Sequence, residues 1–455
     1  MVTARAGLAV LAAAALGGCT LITDSFLTNE FSGDAFPVHV ETTSGAIVVG
    51  LRQDARSDRA VVLDLLSPVT LIDPGFETPP SVSFVDLTLL GADGAGGALT
   101  KPRAKFIEAQ LVGLHPCADE CAPDDPTCDP QQCYVGAPGA ARAFDGILGA
   151  DTLAGDAVRL RLGDDQVFVL PDIGGGDRGR ALSCDAVFHS PYRGGGTLII
   201  GGTELPFGNR RITLPACLGA DADPRDTAVV ANLRPAGSDA LFVLSTGIGV
   251  SIIDETAYQR YLIAHPEAPV EPMTPGSVFL PSGLVTGHVV HIDRLSLIAT
   301  ATSNPLSPCR QVYAHRLMTA HGGIDQTQCA LLGQPADNVT TFDCVCKNRN
   351  AFCDAPAMIE LAPPDRIELL VVPDDDPTLQ ALRTELRPDQ AEVDGLLGTN
   401  VLRTAEVDVD YPHDRLVARC AADGCTARPQ LAQERDRPQI LGCLSGQPTG
   451  PILPE

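Results

Sequence analysis

Two strand ends, about 180 residues apart, carry the side chains of this sequence that are best placed to do chemistry. Asp64 follows the apolar run Val61 to Leu63, and Ser245 follows Phe242 to Leu244. A carboxylate there could act as a general base, whereas a serine nucleophile needs a base beside it. Ser245 has no G-x-S-x-G motif around it and no histidine at a related spacing, so the sequence argues against a serine nucleophile.

Each of these strand ends is followed by a second recurring element. Asp145 to Gly149 reads DGILG, and Asp394 to Gly398 reads DGLLG. One strand-turn and one Asp-Gly-apolar-apolar-Gly segment therefore occur in the same order in each half of the chain. This internal repetition predicts a duplicated protein with two related halves.

Short β-branched runs bounded by Gly, Pro, Asp and Asn predict a mainly β fold. The predicted strands are 38–41, 46–51, 60–65, 82–90, 158–162, 167–170 and 197–200, and the predicted helices are 150–153, 255–264 and 377–387. The acidic or Pro-rich stretches 119–130 and 363–377 are predicted to be solvated loops.

Taken in order, these segments resemble the pepsin-type aspartic proteases. The resemblance covers about residues 37 to 420, with 194–202 similar to the strand between the lobes and 407–417 similar to the closing strands. It implies a bilobal fold of two related β-barrel lobes, disulfide-bonded in this chain. The family motifs place the catalytic turns at Asp64, Ser245, Thr246 and Gly247, with the supporting strands at Ile147, Leu148, Gly149, Leu396, Leu397 and Gly398.

The catalytic position is where the chain departs from this family. Peptide hydrolysis by that fold uses two carboxylates that share one proton, and Ser245 replaces the second carboxylate. Leu65 and Leu66 stand where the family has Thr or Ser and then Gly. Neither Asp239 nor Asp254 is close enough in sequence to replace the missing acid. We therefore expect an inactive relative of the proteases, although residual general-base work by Asp64 stays open.

The N-terminus resembles a bacterial lipoprotein signal. Arg5 precedes an apolar run, and Leu16-Gly17-Gly18-Cys19 is similar to a lipobox, which implies cleavage before Cys19 and lipid on its thiol. An ordinary signal peptide is the alternative. The predicted organisation is a signal peptide (1–18), a tether (19–36), an N-terminal lobe (37–192), a C-terminal lobe (193–420) with a Cys-rich insertion (309–353), and a tail (421–455).

Cysteine usage agrees with an oxidising compartment. Of the 15 Cys, 14 remain when Cys19 is set aside, which permits up to seven disulfides of unassigned pairing. A zinc site with His315 and His321 is the competing interpretation, but Cys344 and Cys346 are awkwardly spaced for it. We predict no metal and no cofactor.

Composition narrows the partners. A net charge of −25 without a basic stripe excludes nucleic acid as an expected partner. Charged residues make up only 20% of the chain and hydrophobic residues 44%, which excludes a disordered protein. We expect a lipid-anchored protein of the bacterial envelope, at the outer membrane, that binds an extended peptide or protein. The alternatives are an active aspartic endopeptidase with a non-standard site and a structural or interaction lipoprotein; the oligomeric state is open.

Overall fold

A computed structural model describes the parts of the chain that surround the two strand ends. The described residues are 36–38, 40–43, 45–53, 58–72, 81–91, 96–108, 145–153, 156–170, 186–189, 195–200, 203–208, 211–220, 239–266, 268–280, 283–298, 309, 358–386, 392–411 and 415–428. The predicted signal peptide, Cys19, nearly all of the tether, the Cys-rich insertion after Cys309 and the end of the tail lie outside them.

The fold is mainly β. Its described strands are β1 (Phe36–Val38), β2 (Val40–Thr43), β3 (Ala46–Gln53), β4 (Asp58–Leu63), β5 (Leu71–Ile72), β6 (Ser81–Leu90), β7 (Gly96–Glu108), β8 (Gly146–Leu148), β9 (Ala157–Arg161), β10 (Gln166–Leu170), β11 (Ala186–His189), β12 (Gly195–Ile200), β13 (Thr203–Gly208), β14 (Thr213–Gly219), β15 (Asp239–Leu244), β16 (Ser251–Asp254), β17 (Thr274–Leu280), β18 (Gly283–Ile292), β19 (Arg294–Ile298), β20 (Met358–Leu361), β21 (Ile367–Val372), β22 (Gly395–Leu397), β23 (Ala405–Asp410), β24 (Arg415–Cys420) and β25 (Cys425–Arg428). The α-helices are short: α1 (Ala150–Leu153), α2 (Glu255–Ala264), α3 (Pro377–Leu386) and α4 (Thr399–Leu402).

These strands form four sheets. A seven-stranded sheet has the order β2-β3-β4-β8-β5-β7-β6, and a ten-stranded sheet has the order β17-β18-β21-β16-β22-β15-β14-β19-β20-β25. A six-stranded sheet, β1-β10-β9-β23-β24-β11, joins strands from both ends of the chain, and β12 pairs with β13. The strands that directly precede Asp64 and Ser245, β4 and β15, lie inside the seven- and ten-stranded sheets.

Charged side chains cross-link the six-stranded sheet. Arg159 on β9 donates from Nε and Nη2 to the two carboxylate oxygens of Asp408 on β23, at 2.6 and 2.8 Å. Glu406 on β23 accepts from Arg161 and from Arg419 on β24. Paired charges on neighbouring strands stabilise their register, because cross-strand side chains lie close together. This sheet therefore ties residues near 160 to residues near 406–419.

One predicted strand and one predicted loop differ from the structure. The single strand expected at 38–41 is two strands, β1 and β2, in different sheets. The solvated loop expected at 363–377 was wrong, because it contains β21, whose residues are buried except for Glu368. The acidic and proline residues on either side of β21 form turns, and they concealed a short apolar strand between them.

Two disulfides lie among the described residues. Cys217 on β14 is bonded to Cys309, and Cys420 is bonded to Cys425 at the start of β25. β25 falls in the segment predicted to be the tail, yet it pairs with β20 and completes one edge of the ten-stranded sheet. Within the described part of the chain, no helix has both the length and the apolar character needed to cross a bilayer.

Candidate active site

The two strand ends are built in the same way. β4 pairs in parallel with β8, and β15 pairs in parallel with β22. Asp64 N–H donates to the carbonyl of Leu148 at 3.1 Å, and Ser245 N–H donates to the carbonyl of Leu397 at 2.9 Å. The DGILG and DGLLG segments therefore thread beside the two turns, as the repeated sequence predicted.

The repetition extends to side chains. The Asp145 carboxylate accepts from Ala60 N–H at 2.8 Å, and the Asp394 carboxylate accepts from Leu241 N–H at 2.7 Å. The shift of 181 residues that relates Asp64 to Ser245 also relates Ala60 to Leu241. The two halves can therefore be compared residue by residue around the site.

The two supporting strands approach the turns closely through glycine. A Cβ at Gly149 would lie 2.5 Å from the carbonyl carbon of Val69, and one at Gly398 would lie 2.8 Å from that of Val250. Both contacts leave no room for a side chain. The residues before these glycines are buried at 3% exposure or less: Ile147, Leu148, Leu396 and Leu397. The four apolar side chains and two glycines therefore lie directly beside the two turns.

Each glycine N–H donates to a hydroxyl that lies six residues after the turn in the same half of the chain. Gly149 N–H donates to Thr70 Oγ1 at 3.1 Å, and the Thr70 hydroxyl donates to Asp151 Oδ1 at 2.8 Å. In the second half, Gly398 N–H donates to Ser251 Oγ, whose hydroxyl donates to Asn400, both at 2.9 Å. Sequence reasoning missed these supports, although their equal spacing after Asp64 and Ser245 was visible.

Asp64 and Ser245 face each other in the interior. The Ser245 hydroxyl donates to Asp64 Oδ1 at 3.1 Å. Asp64 is 1% exposed and Ser245 is not exposed at all. The same Oδ1 accepts from Leu66 N–H at 3.0 Å and from Gly247 N–H at 3.2 Å. One carboxylate oxygen therefore binds three donors, two of which come from the second turn.

The side chain of Thr246 links the second turn to the main chain of the first turn, and the equivalent residue of the first turn does not return this link. Its hydroxyl donates to the Leu63 carbonyl at 2.7 Å and accepts from Leu65 N–H at 3.0 Å. By the repeat, Leu65 is the counterpart of Thr246, but an apolar side chain can make neither bond. Leu65 instead lies in the main hydrophobic core. The Thr246 side chain of the second turn is therefore hydrogen-bonded to the main chain of the first turn. The Leu65 side chain makes no equivalent hydrogen bond to the second turn.

An arginine that is adjacent to neither turn in sequence links the first turn to α3. Arg211 donates to the carbonyl of Leu66 and, through Nε and Nη2, to both carboxylate oxygens of Glu385 on α3, at 2.7 Å each. Bidentate Arg–carboxylate pairs fix the geometry of both groups. Sequence reasoning missed Arg211, because no local pattern connects it with residues 145 and 174 positions away.

Burial controls the protonation of Asp64. Loss of solvation raises the pKa of the Asp64 carboxyl above its ordinary value, and this outweighs the hydrogen bonds from Leu66, Ser245 and Gly247 and the charge of Arg211, which lower it. The main groups that shift this pKa are Leu66, Ser245, Gly247 and Arg211, and none of them is a carboxyl. A protonated Asp64 can donate a hydrogen bond.

The raised pKa predicts how Asp64→Asn changes stability with pH. A folded-state pKa above the unfolded value stabilises the protein at pH below about 4, and that contribution is lost as pH rises through the folded-state pKa. Asn stays neutral and its Oδ1 accepts the same three donors. Relative to wild type, the free energy of unfolding of Asp64→Asn should therefore rise by about 1.4 kcal/mol per pH unit between the unfolded-state pKa and the folded-state pKa of Asp64. Urea unfolding of both proteins from pH 3 to 8 measures this difference, and a constant difference would contradict it.

The other acids considered in the sequence belong to structural contacts. Asp254 caps α2 by accepting from Ala257 N–H at 2.6 Å, and it is paired with Arg383. Asp239 lies at the start of β15, in a group with Cys217 and Cys309 whose ligand atoms are within 4.8 Å of one another. Those two thiols are joined as a disulfide, so they are not thiolate ligands for a metal. His315 and His321, the histidines of the competing zinc interpretation, lie outside the described residues.

Comparison with solved structures finds matches at low sequence identity. Basic 7S globulin from soybean matches with a TM-score of 0.39 and 11% identity, over 86% of this chain and 95% of that chain. An aspartic proteinase from Irpex lacteus matches with a TM-score of 0.36 and 11% identity, over 86% of this chain and 98% of that chain. No protein-family model matches the sequence, and no curated protein matches it. The chain is a mainly β protein with two disulfides among its described residues.

Proposed function

We propose that this chain is a proteolytically inactive, aspartic-protease-like protein that binds an extended peptide or protein segment between two related lobes. The observation that carries the proposal is the contact between Asp64 and Ser245. A hydroxyl, 3.1 Å from the Asp64 carboxylate, takes the place that a second acid would need.

Chemistry supports inactivity. Hydrolysis by a pair of acids needs one ionised carboxylate to activate water and one protonated carboxyl to polarise the substrate carbonyl. A serine hydroxyl does not ionise in the working range, so it cannot alternate between these roles. Each general acid or base is worth about 10² to 10⁴ in rate, and the loss of one member of an obligate pair removes most of the activity. Burial of Asp64 at 1% exposure also restricts access of water to its carboxylate.

The surroundings of the changed residue support a binding role. The parallel pairing of β4 with β8 and of β15 with β22, the supporting glycines, and the hydrogen bond from Thr246 to the first turn are all present. Recognition of an extended segment relies on main-chain hydrogen bonds and side-chain pockets, and it requires no acid pair. Binding can therefore continue without Asp64 as a base.

The cellular setting belongs to the same proposal. Lipid on Cys19 anchors the chain to the bacterial envelope, at the outer membrane, and the residues up to Phe36 act as a tether. The membrane contact is made through the lipid, so the folded part is free to meet peptides or proteins. Two disulfides among the described residues agree with an oxidising compartment.

Peptide binding tests the proposal. The mature chain without lipid is mixed with a fluorescently labelled pool of unstructured peptides of about ten residues, long enough to span several strand positions. Wild type and Asp64→Asn should bind the same members of the pool, with affinities within about threefold, since the proposed contacts use the main chain. Absence of any peptide binding by either protein would reject the cleft-binding function and favour a structural or interaction lipoprotein.

A further inference from the structure

We infer that the segment from Pro269 to Pro275 is a ligand for a partner protein with an aromatic-lined groove, of the kind that receives polyproline II segments. The segment leads from α2 into β17 and is remote in sequence from the first turn of the candidate site. The inference goes beyond the proposed peptide binding, and neither one requires the other.

Proline recurs at every third residue in this part of the chain, at Pro266, Pro269, Pro272 and Pro275. Proline fixes its own φ at about −65° and moves the preceding residue out of the helical region, towards extended or polyproline II geometry. Polyproline II has three residues per turn, so prolines at this spacing lie on one side of it. Residues 269–273 accordingly belong to no helix and no β-strand.

The first proline of the series belongs to a turn at the end of α2. Ala268 N–H donates to the His265 carbonyl at 2.9 Å, which places Pro266 inside the hydrogen-bonded loop. The ligand segment therefore starts at Pro269 and keeps three prolines of the series.

Side-chain exposure follows the same three-residue period. Pro269, Pro272 and Pro275 are all exposed. Val270 and Met273, which directly follow the first two of these prolines, are 87% and 47% exposed. Two of the three faces of the segment therefore present apolar side chains to solvent.

The third face of the segment is attached to the fold. Ala268 is 7% exposed and belongs to the main hydrophobic core. Three residues later, one carboxylate oxygen of Glu271 lies 2.9 Å from His291 Nδ1, and the other accepts a hydrogen bond from Arg366. Because this face is already fixed, the segment loses little conformational entropy when a partner binds the other two.

Exposed apolar side chains are concentrated in this region. Among the residues that the structure describes, the large hydrophobic side chains that are exposed are Ile263, Val270 and Met273. All three lie between the end of α2 and the start of β17. Single exposed apolar residues are ordinary on protein surfaces, whereas their concentration in one segment marks a contact surface.

The chemistry of the segment specifies the partner. Prolines three residues apart fit between aromatic side chains, and the residues between them offer further apolar contacts. Residues 263–275 contain no Lys or Arg, but they include Glu267 and Glu271. The groove is therefore lined by aromatic side chains and does not use acidic side chains to hold a basic ligand residue.

Methionine NMR of the full mature chain tests the inference. Without residues 1–18 the chain contains three methionines, Met273, Met318 and Met358, which are labelled with carbon-13 at the methyl group. The probes are a WW domain, an SH3 domain and an EVH1 domain, each added to about 1 mM. At least one should shift the Met273 signal saturably to lower frequency, because aromatic rings shield a methyl group beside them. The Met358 signal should not move, since that side chain is 1% exposed.

Proline substitutions show whether the series is what binds. Pro269→Ala and Pro272→Ala should each weaken binding of that probe by at least about fivefold, because each removes one proline from the groove. Pro373→Ala is the matched control, an exposed proline outside the series, and it should bind as wild type does.

Val270→Asp tests the neighbouring apolar face. It should weaken binding by at least about tenfold while the melting temperature stays within about 2 °C of wild type, because the Val270 side chain is 87% exposed. Unchanged binding by this variant would overturn the assignment of that face to the groove.

Three further results would overturn the inference. The first is the absence of a saturable Met273 shift with all three domains. The second is a shift that Pro269→Ala and Pro272→Ala leave unchanged. The third is a Met273 shift that follows the concentration of the chain alone, which would assign the exposed faces to a second copy of this protein.

Discussion

Thr246→Val should lower the free energy of unfolding by about 2 to 5 kcal/mol, although valine has nearly the shape of threonine. The substitution leaves two buried main-chain groups without their partner, the Leu63 carbonyl and the Leu65 N–H, which the Thr246 hydroxyl binds at 2.7 and 3.0 Å. Each buried polar group left unpaired costs about 1 to 3 kcal/mol. Urea unfolding at pH 7 measures the change.

Thr246→Ser is the matched control, because it keeps the hydroxyl and loses only a methyl group. It should retain most of the stability that Thr246→Val loses. Leu65→Thr offers the converse comparison, since it supplies the hydroxyl that the first turn lacks, at the expense of an apolar side chain in the main core. Equal stability of Thr246→Val and wild type would show that the hydrogen bonds of the Thr246 hydroxyl do not hold the two turns together.

Gly247→Ala should be destabilising by about 2 to 3 kcal/mol, since overpacking of a fixed interior contact has costs of this size. The added methyl group would lie within 2.9 Å of three atoms of the Asp64 side chain. Backbone preference would work the other way, because alanine restricts the unfolded chain more than glycine does. A net loss of stability therefore reports the collision.

Asp64→Gly provides the control for that collision. It removes Cβ and the carboxyl group, which are the atoms that a methyl group at position 247 would meet. The double variant Asp64→Gly/Gly247→Ala should be less destabilised than the sum of the two single variants, by at least about 1 kcal/mol. Additive effects in denaturant unfolding would contradict the steric account of this contact.

Much of the architecture could be predicted from local patterns. The run Ala46 to Leu51, the helix Glu255–Ala264 and the helix starting at Pro377 were found close to their observed bounds, since apolar periodicity and helix caps are local signals. Asp254 caps α2. The repeated turns and the repeated Asp-Gly-apolar-apolar-Gly segments could also be recognised in the sequence, because duplication leaves the same order of residues twice.

What could not be predicted depends on contacts between distant residues. β21 was taken for part of a loop, because six apolar-rich residues between acidic turns become a strand only beside β16 and β18. Arg211 gave no sequence signal, since Leu66 and Glu385 meet it only in the folded chain. The convergence of three donors on one oxygen of Asp64 likewise needs both halves to be assembled.

The most direct test of the central claim is proteolysis by the mature chain. Wild type and Asp64→Asn are incubated with a reduced, alkylated protein substrate from about pH 3 to 7, where acid pairs of proteases titrate, and peptide release is followed by mass spectrometry. We expect Asp64 to make no difference: neither protein releases peptides above the background of substrate alone. Cleavage by wild type that disappears in Asp64→Asn would show that Asp64 and Ser245 form a working site, and would contradict the account.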